Sequence, residues 1–236
     1  MLTLLLVDAQ QGASAHWRCH LDGVRKIIAL HGGMRTLAQP PGMEPLILFV
    51  AFAAVMGDTS SPASNLTIAT APPEDLDFII KEYGDREFAL GSYPTALFVS
   101  IIKINRLRMQ AACRPAAASN LALHAYAILT HIHSFSSADW AQSKPVSTAE
   151  WVLLGNMHQA AVAIYCIRSL QSVGVLPRDL ALEDMCAAHG RGLQHFLQAA
   201  LPTPQIRRFT WWCWECTRCI VGVAMLERLF GGNFRS

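Results

Sequence analysis

The segment WRCHLDGVRKIIALHGG, residues 17–33, carries the clearest secondary-structure pattern in this 236-residue chain. Its apolar positions recur at the spacing of one helix face, and these are Leu21, Val24, Ile27 and Ile28. Charged residues occupy the opposite face. Gly32 and Gly33 follow at once, and glycine readily takes the positive φ that ends many helices. The segment therefore predicts an amphipathic helix that stops at the double glycine.

The rest of the chain also has the pattern of helices. An apolar, helix-like cluster occupies residues 2–11, and further helices are predicted over residues 44–57, 74–83, 93–112, 116–135, 148–171, 178–201 and 205–230. Proline and glycine separate them, and the longest loop, residues 58–73, is rich in Ser, Thr and Pro. No segment has the alternation of a strand. We therefore predict one all-α domain of antiparallel packed helices over residues 1–236.

The composition points to protein contacts rather than to nucleic acid. Hydrophobic residues make up 52% of the chain and charged residues 15%, against about 25% charged in an average soluble domain. Such a chain has little charge with which to cover its surface, so we expect a protein partner or self-association. The net charge of +2 comes from scattered basic residues, with Arg106/Arg108 and Arg207/Arg208 as the close pairs. The charge pattern therefore does not favour DNA binding.

Membrane insertion and export are not expected. The longest apolar run, LILFVAFAAVM at residues 46–56, is shorter than the roughly 18 residues of a spanning helix and predicts a buried core helix. The N-terminal apolar run lacks a basic region before it, and Asp8 interrupts it early, so we expect no signal peptide. The chain has seven cysteines, an odd number, which fits a reducing intracellular compartment better than a disulfide framework.

Three cysteines near the end of the chain, in WWCWECTRC, have the appearance of a metal or redox site. Cys213, Cys216 and Cys219 follow at steps of three, and each step drifts by about 60° around a helix of 3.6 residues per turn. They cannot converge on one ion without breaking the helix, and no second pair of ligands is nearby. A redox C-x-x-C motif belongs in a βαβ setting. We therefore expect buried core cysteines and no metal.

The histidines give no stronger metal signal. His16, Cys19 and His20 share one helix face, but the H-E-x-x-H motif requires a glutamate at position 17, which is a tryptophan. We therefore expect buried or capping roles for these residues. His131 and His133 lie two residues apart and should point to different sides of their helix.

The chain shows no catalytic motif. Asp75 and Asp77, like Glu183 and Asp184, form no D-D-x-x-D motif that could hold magnesium and a diphosphate. The motifs of serine hydrolases, P-loops and dinucleotide-binding folds are also missing from the sequence. We therefore predict no catalytic residues, no bound cofactor and no enzymatic activity.

The segment HLDGVRKIIALHGGMRTL, residues 20–37, together with the upstream apolar run at 4–6, resembles the fungal-specific transcription factor domain. This domain is the regulatory region of the zinc-cluster transcription factors. The positions that match its pattern are Trp17, His20, Leu21, Gly23, Ile27, Ile28, Gly32 and Gly33. A looser similarity covers residues 148–230, where a tryptophan-led helix runs through residues 220–224.

Two departures from the family pattern matter. The family more often has a basic residue before the double glycine, where this chain has His31. The family reads DNA through an N-terminal cluster of six cysteines holding two zinc ions, and this sequence has no such cluster. Met1 also falls where the family would be well inside its regulatory domain. We therefore expect a fragment, a truncated gene model or a reduced paralogue, without DNA binding of its own.

The resemblance implies a nuclear regulator of genes transcribed by RNA polymerase II. This chain would then be the regulatory portion of such a factor. Two alternatives stay open at this point. The chain could act as an interaction protein that pairs with full-length relatives, or it could be an unrelated all-α enzyme or small-molecule binder.

Overall fold

The computed structural model describes residues 17–66, 73–85, 93–114, 121–144 and 148–200. Every regular element in these ranges is a helix, which confirms the all-α prediction. In chain order the helices are α1 (Trp17–Leu30), α2 (Met34–Leu37), α3 (Glu44–Thr59), α4 (Pro73–Asp85), α5 (Thr95–Cys113), α6 (Ala122–Ser134), α7 (Ser137–Gln142), α8 (Thr148–Ser172) and α9 (Leu180–Ala200). The segments predicted at residues 2–11 and 205–230 lie outside the described ranges. The antiparallel order and the single-domain extent stay predictions.

Helix α8 is the centre of the C-terminal half of the fold. It packs against α5, α6, α7 and α9. All eight side chains from Ala160 to Ile167 are buried, which is more than two full turns, so the helix is surrounded on every side. Alanines at three of these positions, Ala160, Ala161 and Ala163, allow the neighbouring helices to approach closely.

Helix α3 is the second buried helix, and it anchors the N-terminal half. It packs against α1, α2, α4 and α5. The run at residues 46–56 supplies much of the core, as the sequence predicted, and Phe52 stacks on Phe98 of α5 with ring centres 5.6 Å apart. Of the helices that the structure describes, none has both the length and the apolar character needed to cross a membrane.

The amphipathic face of α1 is largely as predicted. Leu21, Val24 and Ile28 are buried in the core, but Ile27 is 43% exposed. The prediction that Ile27 shares the core face is therefore wrong. Consecutive residues of a helix are separated by about 100°, so Ile27 falls beside the buried stripe rather than on it.

The double glycine ends α1 as predicted. Gly32 has a φ of 83°, and its amide donates to the carbonyl of Ala29 at 3.2 Å. The amide of Gly33 donates to the carbonyl of Ile28 at 3.0 Å. These two bonds form a Schellman motif, which satisfies carbonyls that have no partner within the helix.

Gly33 also starts α2, a helix too short for the periodicity analysis to detect. Its φ of 96° and ψ of 174° lie in a region that is open almost exclusively to glycine. The next amide, that of Met34, donates at 3.1 Å to Oδ1 of Asp75, a buried side chain of α4. The carboxylate of one helix therefore caps the start of another, and this bond fastens the corner between α1 and α2 to the fold.

The loop predicted at residues 58–73 begins later than expected. Asp58 and Thr59 are the last residues of α3, and the hydroxyl of Thr59 donates to the carbonyl of Met56 at 2.6 Å. Pro73 opens α4. The polar composition predicted a loop from residue 58, whereas a buried hydrogen bond supports helical structure through Thr59.

Helix α7 was also absent from the sequence prediction. Ser136 caps it by accepting a hydrogen bond from the amide of Asp139 at 3.2 Å. The helix lies very close to α8 at Gly155, where an added Cβ would stand 2.8 Å from the Cβ of Ser137. A side chain at position 155 would therefore push the two helices apart.

We expect Gly33→Val to lower the free energy of unfolding by about 1–3 kcal/mol, because valine rarely adopts this backbone conformation. The new Cβ would also stand 3.2 Å from Oδ1 of Asp75 and disturb the cap of α2. Gly42→Val is the matched control, since Gly42 has a φ of 83° in open space. Urea denaturation should show the larger loss for Gly33→Val. An unchanged midpoint for Gly33→Val would contradict the cap.

Two glycines within helices give a second test. Gly155→Ala should cost about 1–3 kcal/mol through overpacking against Ser137 and Trp140. Gly192→Ala should instead stabilise the protein by up to about 1 kcal/mol, because alanine favours helix and the nearest contact, Phe196, is 3.6 Å away. Equal effects of the two substitutions on thermal unfolding would show that α7 does not constrain position 155.

Candidate functional site

The family-motif positions lie on one helix and its cap. Leu21 and Ile28 are in the core, and His20 and Gly23 are half-buried on the same helix. Trp17 begins α1, but its side chain is outside the described part of the structure. The structure therefore places these residues along α1 and at its C-terminal cap.

The described cysteines behave as packing residues or as surface thiols. Cys166 and Cys186 are buried, whereas Cys19 and Cys113 are exposed. Burial raises the pKa of Cys166 to about 12, so this thiol is protonated and unreactive at neutral pH. Within the residues that the structure describes, no three His, Cys, Asp or Glu side chains cluster as metal ligands. The cysteines at 213, 216 and 219 and His16 lie outside those residues.

A buried guanidinium joins α5 to the end of α3. Arg108 of α5 is only 7% exposed. Its Nη1 donates to the carbonyl of Asp58 at 2.9 Å, and its Nη2 donates to the carbonyl of Ser61 at 2.6 Å. The last carbonyls of a helix lack partners within it and carry partial negative charge. Arg108 therefore caps the C-terminal end of α3 with a positive charge.

The same guanidinium reaches the central helix. Nη1 of Arg108 also donates to the hydroxyl of Tyr165 at 2.6 Å, and that hydroxyl donates to Oδ1 of Asn105. The amide of Asn105 donates to the carbonyl of Val55 at 3.2 Å. Burial raises the pKa of Tyr165, although the positive charge of Arg108 opposes this shift. The hydroxyl therefore keeps its proton, and α3, α5 and α8 are joined by one buried polar network.

A pair of histidines joins α6 to α9. Nε2 of His133 lies 3.0 Å from Nε2 of His189, and the two rings are parallel to within 8°. One nitrogen must donate while the other accepts, so the contact requires at least one proton between the two rings. Desolvation lowers the pKa of His189, and the nearby His133 lowers it further. His131 points elsewhere, as its spacing from His133 predicted.

An open cleft of about 450 Å³ lies between α5 and α6. Its apolar lining comes from Leu107 of α5, from Ile128 of α6 and from Leu121 just before α6. This volume falls within the roughly 300–1,000 Å³ of small-molecule sites, which are mainly apolar with a few polar groups.

Four of the polar side chains that line the cleft are basic, and the other two are Ser100 and Gln110. Lys103 and Arg106 line it from α5, and His124 and His131 line it from α6. Steps of three and seven place each pair on one side of its helix. This site was not predicted from the sequence. Cations within an otherwise apolar helix are a local sign of it, but they indicate a cleft only once α5 is known to pack against α6.

The sequence comparisons place this helical fold in a known family. Residues 1–198 match the model of the family described as "Fungal specific transcription factor domain". The chain belongs to this family, which confirms the resemblance found at residues 17–37.

One curated relative has a more specific description. It is a "Phomenoic acid biosynthesis cluster-specific transcriptional regulator" from Leptosphaeria maculans, 38% identical to this chain over 214 residues. The alignment covers 90% of this chain and 41% of the relative, so the chain spans about two-fifths of that protein's length. No solved structure matches the chain.

The buried network predicts a large difference between two neighbouring arginines. Arg108→Met should cost at least about 3 kcal/mol, because it removes three buried hydrogen bonds that join α5 to the end of α3 and to α8. Arg106→Met, on the opposite and more exposed side of α5, should stay within about 0.5 kcal/mol of the parent. Urea denaturation of both variants measures the difference. Similar stabilities would show that the guanidinium does not hold the three helices together.

Proposed function

We propose that this chain is the regulatory region of a fungal zinc-cluster-type transcription factor and that it modulates transcription by RNA polymerase II in the nucleus. The match to the transcription factor domain family over residues 1–198 carries the proposal. The relative's description supports a narrower version, in which the regulated genes form a biosynthesis cluster. In this proposal DNA recognition is the task of a separate module, and the chain itself is not an enzyme.

We infer that the chain acts through protein contacts. Ile27 and Leu30 are 43% and 84% exposed, and residues three apart are neighbours on a helix surface. Leu123 and Tyr126 form a similar pair on α6, 78% and 42% exposed. These apolar pairs suit contact with a protein partner or with a second copy of the chain. They equally favour the second candidate, an interaction protein that pairs with full-length relatives.

Fusion to a heterologous DNA-binding domain tests the regulatory role. We expect the fusion to change expression of a reporter that carries the cognate site, whereas the unfused chain should leave that reporter unchanged. Replacing Ile27 and Leu30 by serine should weaken the effect, because both apolar side chains are lost from the contact surface. Lys26→Ser, an exposed change on the same helix, is the matched control. A fusion that is present in the nucleus but leaves the reporter unchanged would contradict the proposal.

Titration with random-sequence DNA pools tests whether DNA recognition belongs to a separate module rather than to this chain. The net charge of +2 gives little attraction to phosphate. We expect binding no tighter than about 10⁻⁴ to 10⁻⁶ M at physiological salt, the range of non-specific contacts. Selection of a sequence motif at nanomolar affinity would show that this chain reads DNA itself.

A further inference from the structure

We propose that the cleft between α5 and α6 binds a small organic monoanion, such as a medium-chain carboxylate, with its apolar body on the cleft floor. Three features of the cleft carry this proposal: its volume, its apolar lining and the sign of its charge. No residue of the cleft belongs to the family motif at residues 17–33.

The apolar lining has room for an alkyl chain. Leu107 and Ile128 face the cleft from the two helices, and Leu121 adds a third apolar side chain. Burying apolar surface in the cleft stabilises a bound ligand by roughly 25 cal/mol per Å². The cleft volume of about 450 Å³ suits a compact ligand rather than a folded partner.

The charge of the cleft selects an anion. Lys103 and Arg106 lie three residues apart and therefore on neighbouring positions of α5. His124 and His131 bring imidazole groups from α6 to the opposite side. None of the described residues that line the cleft carries a carboxylate. A guanidinium presents a fork of donors that fits a carboxylate, and an ammonium adds a mobile positive charge.

The cleft lies on the opposite side of α5 from the buried network. Lys103, Arg106 and Leu107 alternate along the helix with Asn105 and Arg108, which bond to α3 and α8. A ligand that contacts the first set is therefore held by a helix whose position is already fixed by the second. Binding to this preformed site should raise the melting temperature by mass action.

Three probes with the same eight-carbon chain separate the contribution of apolar burial to binding affinity from that of charge. Purified full-length chain is titrated by calorimetry and by thermal unfolding with octanoate, 1-octanol and octylamine. We expect octanoate to bind most tightly, 1-octanol more weakly and octylamine least. Lys103→Met and Arg106→Met should each weaken octanoate binding about two- to fivefold, the range for an exposed ion pair, and leave the binding of 1-octanol unchanged.

Two further variants locate the site. Ala127→Trp, at an exposed position in the lining, should fill the cleft and abolish binding of both octanoate and 1-octanol. Lys81→Met, an exposed change on α4, is the matched charge control and should have no effect.

Three results would overturn the proposal. The first is equal affinity for octanoate and 1-octanol, with neither sensitive to Lys103→Met or Arg106→Met. The second is octanoate binding that survives Ala127→Trp, and the third is no binding of any probe at millimolar concentration. These measurements use purified chain without a reporter. Failure of ligand binding would therefore leave the regulatory role standing, and failure of the reporter assay would leave the cleft standing.

Discussion

The buried guanidinium of Arg108 is the constraint on which the packing of this fold depends. Taking a charge out of water costs several kcal/mol unless hydrogen bonds replace its hydration. Here the replacements come from the carbonyls of Asp58 and Ser61 and from the hydroxyl of Tyr165. These groups belong to different parts of the chain, so the guanidinium constrains how α3, α5 and α8 pack together. A shifted packing would break these hydrogen bonds.

A second helix end is capped by a charged side chain from another helix, here with a negative charge, near the N-terminal end of the described structure. The carboxylate of Asp75 accepts a hydrogen bond from the first amide of α2, and the guanidinium of Arg108 donates to the carbonyl of Asp58 near the end of α3 and to that of Ser61 just after it. An anion therefore lies at the positive end of one helix dipole and a cation at the negative end of another. Each of these side chains comes from a different helix. Helix capping, usually a local matter, is here a long-range contact that sets the arrangement of the helices.

The sequence predicted the long helices and the family because both depend on local patterns. Periodicity located α1, α3 and α8 to within a few residues, and the double glycine located the end of α1. Helices α2 and α7 were missed because four and six residues are too few for a periodic signal, and contacts with distant helices hold them. The network could have been suspected from Asn105 and Arg108, one turn apart in an apolar helix. The cleft could not have been suspected from the sequence, because it forms only where α5 packs against α6.

Helix α5 carries two sets of side chains on opposite sides, one that lines the cleft and one that forms the buried network. Because the helix moves as a rigid body, neither set can move without the other. Turning α5 enough to rearrange Lys103 and Arg106 would carry Arg108 away from acceptors within 3 Å of it. Small displacements would therefore be resisted, and a large one would require a second set of acceptors for the guanidinium. Packed cores favour discrete arrangements over continuous deformation. A ligand in the cleft that moves α5 would therefore be expected to shift the helix between discrete positions rather than by gradual displacement.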